Sequence, residues 1–332
     1  MKKNIITALT FIMVAMMVSG CKEKDPLPSW NDTKIKEQII YFVENKTPII
    51  PVEDRIAVFD LDGTVACEKP FGLGLAACIL KMADDAENNP RLLEDKAYEY
   101  SVRLKENPKD TSILNNWRKG ENYRRQIGNK AFQNAENEEY VAYIGKALSE
   151  ATAWHGKKYS ELFYKPVVEL IDYLKAKKYD IYIVSGSDQG LLWGICPQVL
   201  GIDRNHLIGT RQEMSVTFPK SGPAIFTLLD GSYSPRNNYY GKSINIYTQT
   251  GKYPVIAVGN TAGDFGMFHM ATCNHYPHMS LMINHDDAAR EFVYPPYYSH
   301  HPVPEWEDSL RTFGWTKVNM SEEFKTVWKT EE

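Results

Sequence analysis

Two carboxylates separated by one residue are the first feature of the chain that could do chemistry. In the segment AVFDLDGTVACE, residues 57–68, Asp60 and Asp62 follow an apolar run and precede Gly63 and Thr64. Like charges this close repel each other, so the pair needs a cation or another positive group beside it. In such a setting a carboxylate acts as a nucleophile, as a general acid or base, or as an oxygen ligand of a divalent cation.

Three later segments end in polar groups that would complement this pair. They are IVSGSD at 183–188, YGKSINI at 240–246 and GNTAGD at 259–264. Their candidate residues are a hydroxyl, an ammonium group and two further oxygen donors, namely Ser185, Lys242, Asn260 and Asp264. Each one alone is typical of a helix cap or a solvated surface. Their ordered occurrence at the ends of apolar segments predicts one functional site.

The apolar runs predict the elements that would position these residues. RIAVFDLD (55–62), YDIYIVSGSD (179–188) and YPVIAVGNTAGD (253–264) are short and β-rich, and they end in small or polar residues. Such runs are typical of strands buried on both faces of a parallel sheet. Helical segments such as 164–178 separate them. We therefore predict an α/β fold with a Rossmann-like open parallel sheet, whose strand ends meet in one crevice.

The chain between the first two strands is far longer than one crossover helix requires. It looks helical throughout, with turn signals at NNP, ENPKD and RKGEN. We therefore predict an inserted helical cap at 68–165 and an α/β core at 55–67 plus 166–332. Residues 21–54 are predicted to form a tether and an N-terminal helix capped at Asn31 or Asp32, with the folded part starting near Trp30.

The first residues have the pattern of an exported lipoprotein. Two lysines precede a short apolar stretch, and VSGC at 18–21 resembles a bacterial lipoprotein box. We predict a signal peptide at 1–20 and lipid on Cys21. The protein would then be extracytoplasmic and anchored to a bacterial membrane, at a periplasmic or outer-membrane face. An ordinary signal peptide or an uncleaved anchor is the alternative.

Composition and charge narrow the classes of partner. The chain has 332 residues, of which 43% are apolar, and this is ample for a buried core. A formal net charge of −4 without a basic block argues against nucleic acid as a partner, and no obligate protein partner is evident. The remaining cysteines lie at unrelated spacings and are predicted to be single buried thiols: Cys67, Cys78, Cys196 and Cys273.

Together, FDLDGT (59–64), IVSGSD, Lys242 and GNTAGD resemble the motifs of the haloacid dehalogenase (HAD) superfamily of phosphohydrolases, in its phosphoserine-phosphatase-like branch with a helical cap. The resemblance implies Mg²⁺-dependent hydrolysis of a small phosphomonoester. Asp60 would be the nucleophile that forms an aspartyl-phosphate. Asp62 would protonate the leaving alkoxide and then take a proton from water.

The same resemblance implies roles for the other motif residues. Ser185 would bond a phosphoryl oxygen, and Lys242 would neutralise charge on the substrate and on Asp60. Backbone amides of the turns that contain Thr64 and Gly186 would add donors for the phosphate. The implied metal ligands, one of them acting through water, are Asp60, Asp62, Asn260 and Asp264.

Three features bear on the substrate. Glu68 lies near the place where phosphoserine phosphatases carry a carboxylate that recognises an amino group, which favours an amine-bearing ester such as phosphoserine. An aromatic cage would favour phosphocholine, with core packing as the alternative, for Tyr98, Tyr100, Trp117, Tyr123, Tyr140, Tyr143 and Trp154. Three arginines either reach a substrate anion or lie on a solvated helix face: Arg118, Arg124 and Arg125.

Asn260 departs from the family pattern, which usually has aspartate there. An amide oxygen can still bind Mg²⁺ but brings no charge. A non-catalytic, surface-tethered binding lipoprotein therefore remains an alternative. A phosphotransferase is a further alternative that does not depend on Asn260, whereas a dehalogenase would leave Asp62 without an alkoxide to protonate. Zinc binding is disfavoured because the spacing matches no metal motif for His269, His275, His278 and His285.

Overall fold

Short apolar strands form the centre of the computed structural model, which describes residues 24–116, 121–296 and 306–329. The predicted signal peptide, Cys21, Trp117 and Arg118 lie outside the described residues. The strands are β1 Ile56–Phe59, β2 Asn115–Asn116, β3 Glu121–Asn122, β4 Asp180–Asp188, β5 Leu207–Thr210, β6 Gln212–Thr217, β7 Ile225–Ser232, β8 Ile256–Gly259, β9 Met279–Asn284 and β10 Thr316–Asn319.

The helices lie between and around these strands. They are α1 Lys34–Tyr41, α2 Leu73–Asn88, α3 Lys96–Glu106, α4 Tyr123–Lys130, α5 Asn137–Glu150, α6 Lys165–Ala176, α7 Gln189–Leu200, α8 Tyr240–Thr250, α9 Phe265–Thr272, α10 Trp306–Phe313 and α11 Met320–Glu323. No helix in the described ranges is long and apolar enough to cross a membrane.

The predicted Rossmann-like parallel sheet is confirmed. Its six strands have the order β10-β9-β8-β1-β4-β5, and each neighbouring pair is parallel. Alternate residues of β1 belong to two different apolar clusters: Ala57 and Phe59 to one, Ile56 and Val58 to the other. The central strand is therefore buried on both faces, which is why its sequence is continuously apolar. The carboxyl ends of β1, β4 and β8 meet at one edge.

The inserted segment after β1 is mainly helical, but it is not helical throughout. It contains α2 to α5 together with the short antiparallel pair β2 and β3. A second insertion, the antiparallel hairpin of β6 and β7, follows β5 and was not predicted. The hairpin touches the first insertion, because Leu228 donates its backbone N–H to the carbonyl of Ala135 at 2.9 Å. Two insertions thus lie over the core.

Two local predictions are corrected. The N-cap of α1 is Thr33, whose side chain accepts from the N–H of Lys36, rather than Asn31 or Asp32. Cys67 and Cys196 are buried free thiols as predicted, but Cys78 is only partly buried and Cys273 is exposed. Cys273 follows the last residue of α9, and a helix end leaves a small side chain open to solvent.

Trp30, near which the folded part is predicted to start, is packed in the core together with Leu27. Its indole is 1% exposed and donates through Nε1 to the carbonyl of Pro166 at 2.9 Å. The ring also makes an edge contact with Phe324, with centroids 5.3 Å apart. Trp30 therefore joins the N-terminal segment, α6 and the C-terminal residues.

We predict that Trp30→Ala lowers the free energy of unfolding by about 3–5 kcal/mol, since it leaves a cavity and removes the partner of a buried carbonyl. Urea unfolding followed by circular dichroism measures this loss. Phe218→Ala is the matched control, because Phe218 is 78% exposed and should change stability by less than about 0.5 kcal/mol. Equal losses in the two variants would contradict the assigned role of Trp30.

Candidate active site

A buried ammonium group joins the ends of three central strands. Lys242, near the start of α8, donates through Nζ to Asp60 Oδ1 at 2.5 Å, to Asp264 Oδ1 at 2.7 Å and to the carbonyl of Val184 at 2.8 Å. An ammonium group has three donors, so all of them are used. Asp60 follows β1, Val184 lies in β4 and Asp264 follows β8. The lysine is therefore fixed in position by all three strands.

Burial and charge oppose each other in this group. The exposed fractions of Asp60 and Lys242 are 6% and 2%. Burial and the charge of Asp264 raise the pKa of the Asp60 carboxyl, while Lys242 acts in the opposite direction. Burial lowers the pKa of Lys242, but Asp264 and Asp60 more than offset this, so that its pKa is raised. Lys242 therefore stays charged, and a further cation beside Asp60 would favour the ionised carboxylate.

Asp62 is held through one of its two oxygens. Oδ2 accepts from Ser187 Oγ at 2.7 Å and from Ser185 Oγ at 3.1 Å. Oδ1 is shielded from solvent, and no described residue hydrogen-bonds to it. This oxygen lies against Gly72, where a Cβ atom would come within 2.8 Å of it. The carboxyl group is thus held in place through Oδ2, while Oδ1 has no hydrogen-bond partner among the described residues. Such a group is suited to give a proton to a reactant or to take one from it.

Asn260 lies between Thr64 and Glu68. Its Nδ2 donates to Glu68 Oε1 at 3.0 Å, and the hydroxyl of Thr64 lies 3.4 Å from its Oδ1. The same hydroxyl lies 3.3 Å from Asp60 Oδ2, so an oxygen of Asp60 and the amide oxygen of Asn260 lie near one point. Gly63, with φ of +81°, allows this approach, because a Cβ there would meet Asn260 at 1.9 Å.

These groups line a cleft of about 330 Å³ at the carboxyl edge of the sheet. Its charged lining residues among the described part of the chain are four acids and two bases, namely Asp60, Asp62, Glu68, Asp264, Arg124 and Lys242. The excess of two carboxylates favours a divalent cation. Burial is the main cause that raises the pKa of Glu68, and the charge of Asp62 adds to it.

Comparison with known proteins identifies the family. A model of haloacid dehalogenase-like hydrolases matches residues 55–229, which is more than half of the chain. The chain belongs to the haloacid dehalogenase-like hydrolases. No curated protein matches it.

The chain is also similar to several solved structures. A conserved protein of unknown function from Anaerococcus prevotii has a TM-score of 0.55 at 13% identity, over 89% of this chain and 94% of that one. A protein of unknown function from Bordetella pertussis has a TM-score of 0.47 at 13% identity, over 80% and 98%. Cytosolic 5′-nucleotidase IIIB bound to cytidine has a TM-score of 0.44 at 12% identity, over 86% of both chains.

The hydrolase brings most of its predicted site residues together. Those that line the cleft are Asp60, Asp62, Glu68, Ser185, Gly186, Lys242 and Asp264, while Thr64 and Asn260 lie buried directly behind it. Asp264 is already occupied, because Oδ2 accepts from the N–H groups of Asn260 and Thr261 at 2.9 and 3.0 Å. Its contacts orient Lys242 and the turn after β8.

The predicted aromatic cage does not line this cleft. No aromatic side chain of the described ranges is among its lining residues. Instead Trp154 packs edge-on against Phe292 and Trp328, and Tyr140 packs against Phe132. These rings are core, which was the alternative interpretation. Arg124 lines the cleft from α4, and both Arg124 and its neighbour Arg125 are exposed.

Among the described residues, no group of three or more His, Cys, Asp or Glu side chains is arranged as a metal site, and this covers the acids of the cleft as well as the four histidines. His285 has a different environment. Its Nε2 lies 2.7 Å from the carbonyl of Gly63, and its Nδ1 lies 3.1 Å from Glu291 Oε2. Both ring nitrogens thus lie within hydrogen-bond distance of an oxygen, so the ring connects the turn at Gly63 to Glu291.

Sequence reasoning missed three contributors to this site. Ser187 could have been found, because it lies two positions after Ser185 on the same strand and therefore on the same face. The other two carried no signal. His285 and Glu291 follow β9 without a motif, yet Glu291 Oε1 also accepts from Tyr164 Oη at 2.9 Å and brings this buried network under the turn that contains Gly63.

We predict that His285 and Glu291 are energetically coupled. In a double-mutant cycle with His285→Ala and Glu291→Ala, the interaction free energy should be about 1–3 kcal/mol, because each single variant leaves a buried polar partner unsatisfied. Urea unfolding of the four proteins measures it. The exposed pair Arg204 and Glu138 is the control and should give less than about 1 kcal/mol. Additive losses at His285 and Glu291 would show that the contact contributes nothing.

Proposed function

We propose that this hydrolase is a Mg²⁺-dependent phosphomonoesterase that acts on small phosphorylated metabolites through an aspartyl-phosphate on Asp60. The observation that supports it most is the contact of Asp60 with Lys242, next to an Asp62 that has one unpartnered oxygen. A nucleophilic carboxylate, a fixed positive charge and a proton carrier are the groups that phosphoryl transfer requires.

The proposed reaction has two steps. In the first, a carboxylate oxygen of Asp60 bonds to phosphorus, the bond from phosphorus to the ester oxygen breaks, and Asp62 gives its proton to the leaving alkoxide. In the second, Asp62 takes a proton from a water that attacks phosphorus, which releases phosphate and frees Asp60. Lys242 stabilises negative charge on the phosphoryl group in both steps, and backbone amides of the turns near Thr64 and Gly186 add donors.

The residues at the carboxyl edge fit Mg²⁺. An oxygen of Asp60, the carbonyl of Asp62 and the amide oxygen of Asn260 are hard donors of the kind that this cation prefers, whereas both oxygens of Asp264 already accept from Lys242 and from the turn after β8. When bound, the cation would supply charge neutralisation for the phosphoryl oxygens. The excess of negative charge in the cleft supports this assignment.

The substrate and location are proposed on narrower grounds. Glu68 favours an amine-bearing ester such as phosphoserine or phosphocholine, although its contact with Asn260 engages one of its oxygens. The lipobox-like VSGC supports a lipoprotein anchored through Cys21 on the extracytoplasmic side of a bacterial membrane. Transfer of the phosphoryl group to an acceptor other than water is compatible with the same groups.

A binding lipoprotein without catalysis is the second candidate, and the observation that favours it is the amide at position 260. We predict that Asp60→Asn lowers kcat for p-nitrophenyl phosphate by at least about 10³-fold, because it removes the nucleophile while it preserves the shape. Chelation of Mg²⁺ with EDTA should abolish turnover, and added Mg²⁺ should restore it. Steady-state hydrolysis of the protein without residues 1–21 measures both. Equal rates for wild type and variant would establish the binding role instead.

The amide at position 260 also allows a test of the metal site. We predict that Asn260→Asp lowers the Kd for Mg²⁺ by about tenfold when combined with Glu68→Gln, because a charged ligand replaces a neutral one. Asn260→Asp alone should gain less, since the new carboxylate would face Glu68 where an amide now donates. Isothermal titration calorimetry with Mg²⁺ measures both variants without relying on turnover. Unchanged Kd values would place the cation elsewhere.

A further inference from the structure

A buried network lies behind the turn that follows β1, and no step of the proposed reaction uses it. It is centred on His285 and Glu291, which are 3% and 7% exposed. His285 Nε2 lies 2.7 Å from the carbonyl oxygen of Gly63, the residue that follows Asp62. A carbonyl oxygen only accepts, so Nε2 is the donor of this contact. The imidazole therefore reaches the turn through its backbone, and His285 is not among the residues that line the cleft.

The imidazole is held on its other sides as well. Its Nδ1 lies 3.1 Å from Glu291 Oε2, and the ring stacks on Tyr294 with centroids 4.2 Å apart and planes 17° apart. The second oxygen of Glu291 accepts from Tyr164 Oη at 2.9 Å and from Cys67 Sγ at 3.1 Å. A side chain that is supported in this way keeps one orientation, so Nε2 is presented to Gly63 at a defined position.

Gly63 is the least restricted residue of the turn. Its φ is +81°, and it has no Cβ atom to limit rotation. Its N–H donates to the carbonyl of Ala66 at 2.7 Å, which fixes the peptide plane that precedes it. The plane that follows it is held by a longer bond, 3.2 Å from the N–H of Thr64 to the carbonyl of Leu61, and by the contact with His285. Loss of the imidazole would therefore release the second plane in particular.

The two planes carry groups that the proposed reaction needs. The first contains the carbonyl of Asp62, which points away from the N–H of Gly63 because the two are opposed in a trans peptide. The second leads into Thr64, whose hydroxyl lies 3.3 Å from Asp60 Oδ2 and 3.4 Å from Asn260 Oδ1. Rotation at Gly63 would therefore displace the Asp62 carbonyl and Thr64, to which the proposed function assigns the cation and the phosphate.

The segment after the turn has supports of its own. The N–H of Cys67 donates to the carbonyl of Leu162, and the N–H of Tyr164 donates to the carbonyl of Val65, both at 2.9 Å. Neither bond involves Gly63, so they attach the segment to the core without fixing the turn. A substitution that removes the imidazole is thus expected to change the turn locally and to leave the fold in place.

We propose that His285 is a positioning residue for the reaction: it holds the carbonyl of Gly63, so that Asp62 and Thr64 keep the backbone orientation that phosphoryl transfer requires. Glu291 orients the imidazole from its far side. This inference rests on the proposed function and adds to it a residue behind the cleft. A misplacement of about 1 Å can cost on the order of 100-fold in rate, so a contact behind the turn is expected to affect turnover.

Two amides at position 285 separate the two nitrogens of the imidazole. The side-chain nitrogen of glutamine matches Nε2 in its distance from the backbone, and that of asparagine matches Nδ1. His285→Gln therefore keeps a donor for Gly63, whereas His285→Asn keeps only a group that faces Glu291. We predict that His285→Asn lowers kcat for p-nitrophenyl phosphate by about 30-fold with less than about a threefold change in KM, while His285→Gln stays within about threefold of wild type.

The Kd for Mg²⁺ is a second readout that does not depend on turnover. Isothermal titration calorimetry on the full-length protein should show about a tenfold rise in His285→Asn and a value near wild type in His285→Gln, because only the first loses the contact that fixes the turn at Asp62.

Tyr179→Phe is the matched control. It also removes a buried hydrogen bond, in which the Tyr179 hydroxyl lies 2.7 Å from Thr47 Oγ1, but this bond lies just before β4, at the amino edge of the sheet. The variant should lose stability in thermal unfolding and keep wild-type values of kcat and of the Kd for Mg²⁺.

Three results would overturn the inference. Equal kcat values in His285→Asn and His285→Gln would show that the donor at Nε2 does not matter. A wild-type Kd for Mg²⁺ in His285→Asn would show that the turn keeps its shape without the contact. A loss of turnover in Tyr179→Phe as large as that in His285→Asn would reduce the effect to general destabilisation.

Failure of the proposed function would look different. Wild type would then hydrolyse p-nitrophenyl phosphate no faster than Asp60→Asn, and the inference would fail with it. Turnover that requires Asp60 but does not distinguish the two amides at position 285 leaves the phosphatase intact and removes only the role of His285.

Discussion

The contact of Lys242 with two buried carboxylates is the constraint on which the rest of the structure depends. The lysine neutralises Asp60 and Asp264 in a region from which water is largely excluded, and removal of either partner would leave an uncompensated buried charge. Its third donor engages the backbone of Val184, so β1, β4 and β8 must hold their register. A parallel sheet provides this, because the carboxyl ends of its strands lie at the same edge.

The core could be predicted because its signals are local and strong. Strands such as β1 and β8 are buried on both faces, so each residue is apolar whatever its neighbours are. The hairpin at 212–232 gave no such signal. Few residues of the hairpin are buried, and some of its exposed residues, such as Val216 and Phe226, are apolar. The hairpin therefore lacks the alternation of apolar and polar residues that is typical of a half-buried strand. The position of the hairpin depends on its contact with the inserted helical segment, and a single sequence does not show such a contact.

The site was predictable to the extent that its residues follow strands in the order of the motifs. Asp60, Ser185 and Lys242 converge because the topology leaves them no other place. His285 and Glu291 could not be found in this way, since what matters is a contact between the loop after β9 and the carbonyl of Gly63. A buried hydrogen-bond network of this kind connects residues that are distant in the sequence. Which residues become partners depends on how the elements pack and not on the spacing of the residues along the chain.

The hydrogen bond of Asn260 with Glu68 bears on whether the amide at position 260 indicates a loss of function. A site that had lost its function would be expected to retain unpaired polar groups where a charge had been removed. Here Asn260 instead donates to Glu68, so a carboxylate lies 3.0 Å from the amide that replaces one. Glu68 thus places a carboxyl group beside the neutral amide. Among the described residues, the cleft is therefore lined by two more acidic than basic side chains, with a neutral amide at position 260 behind it.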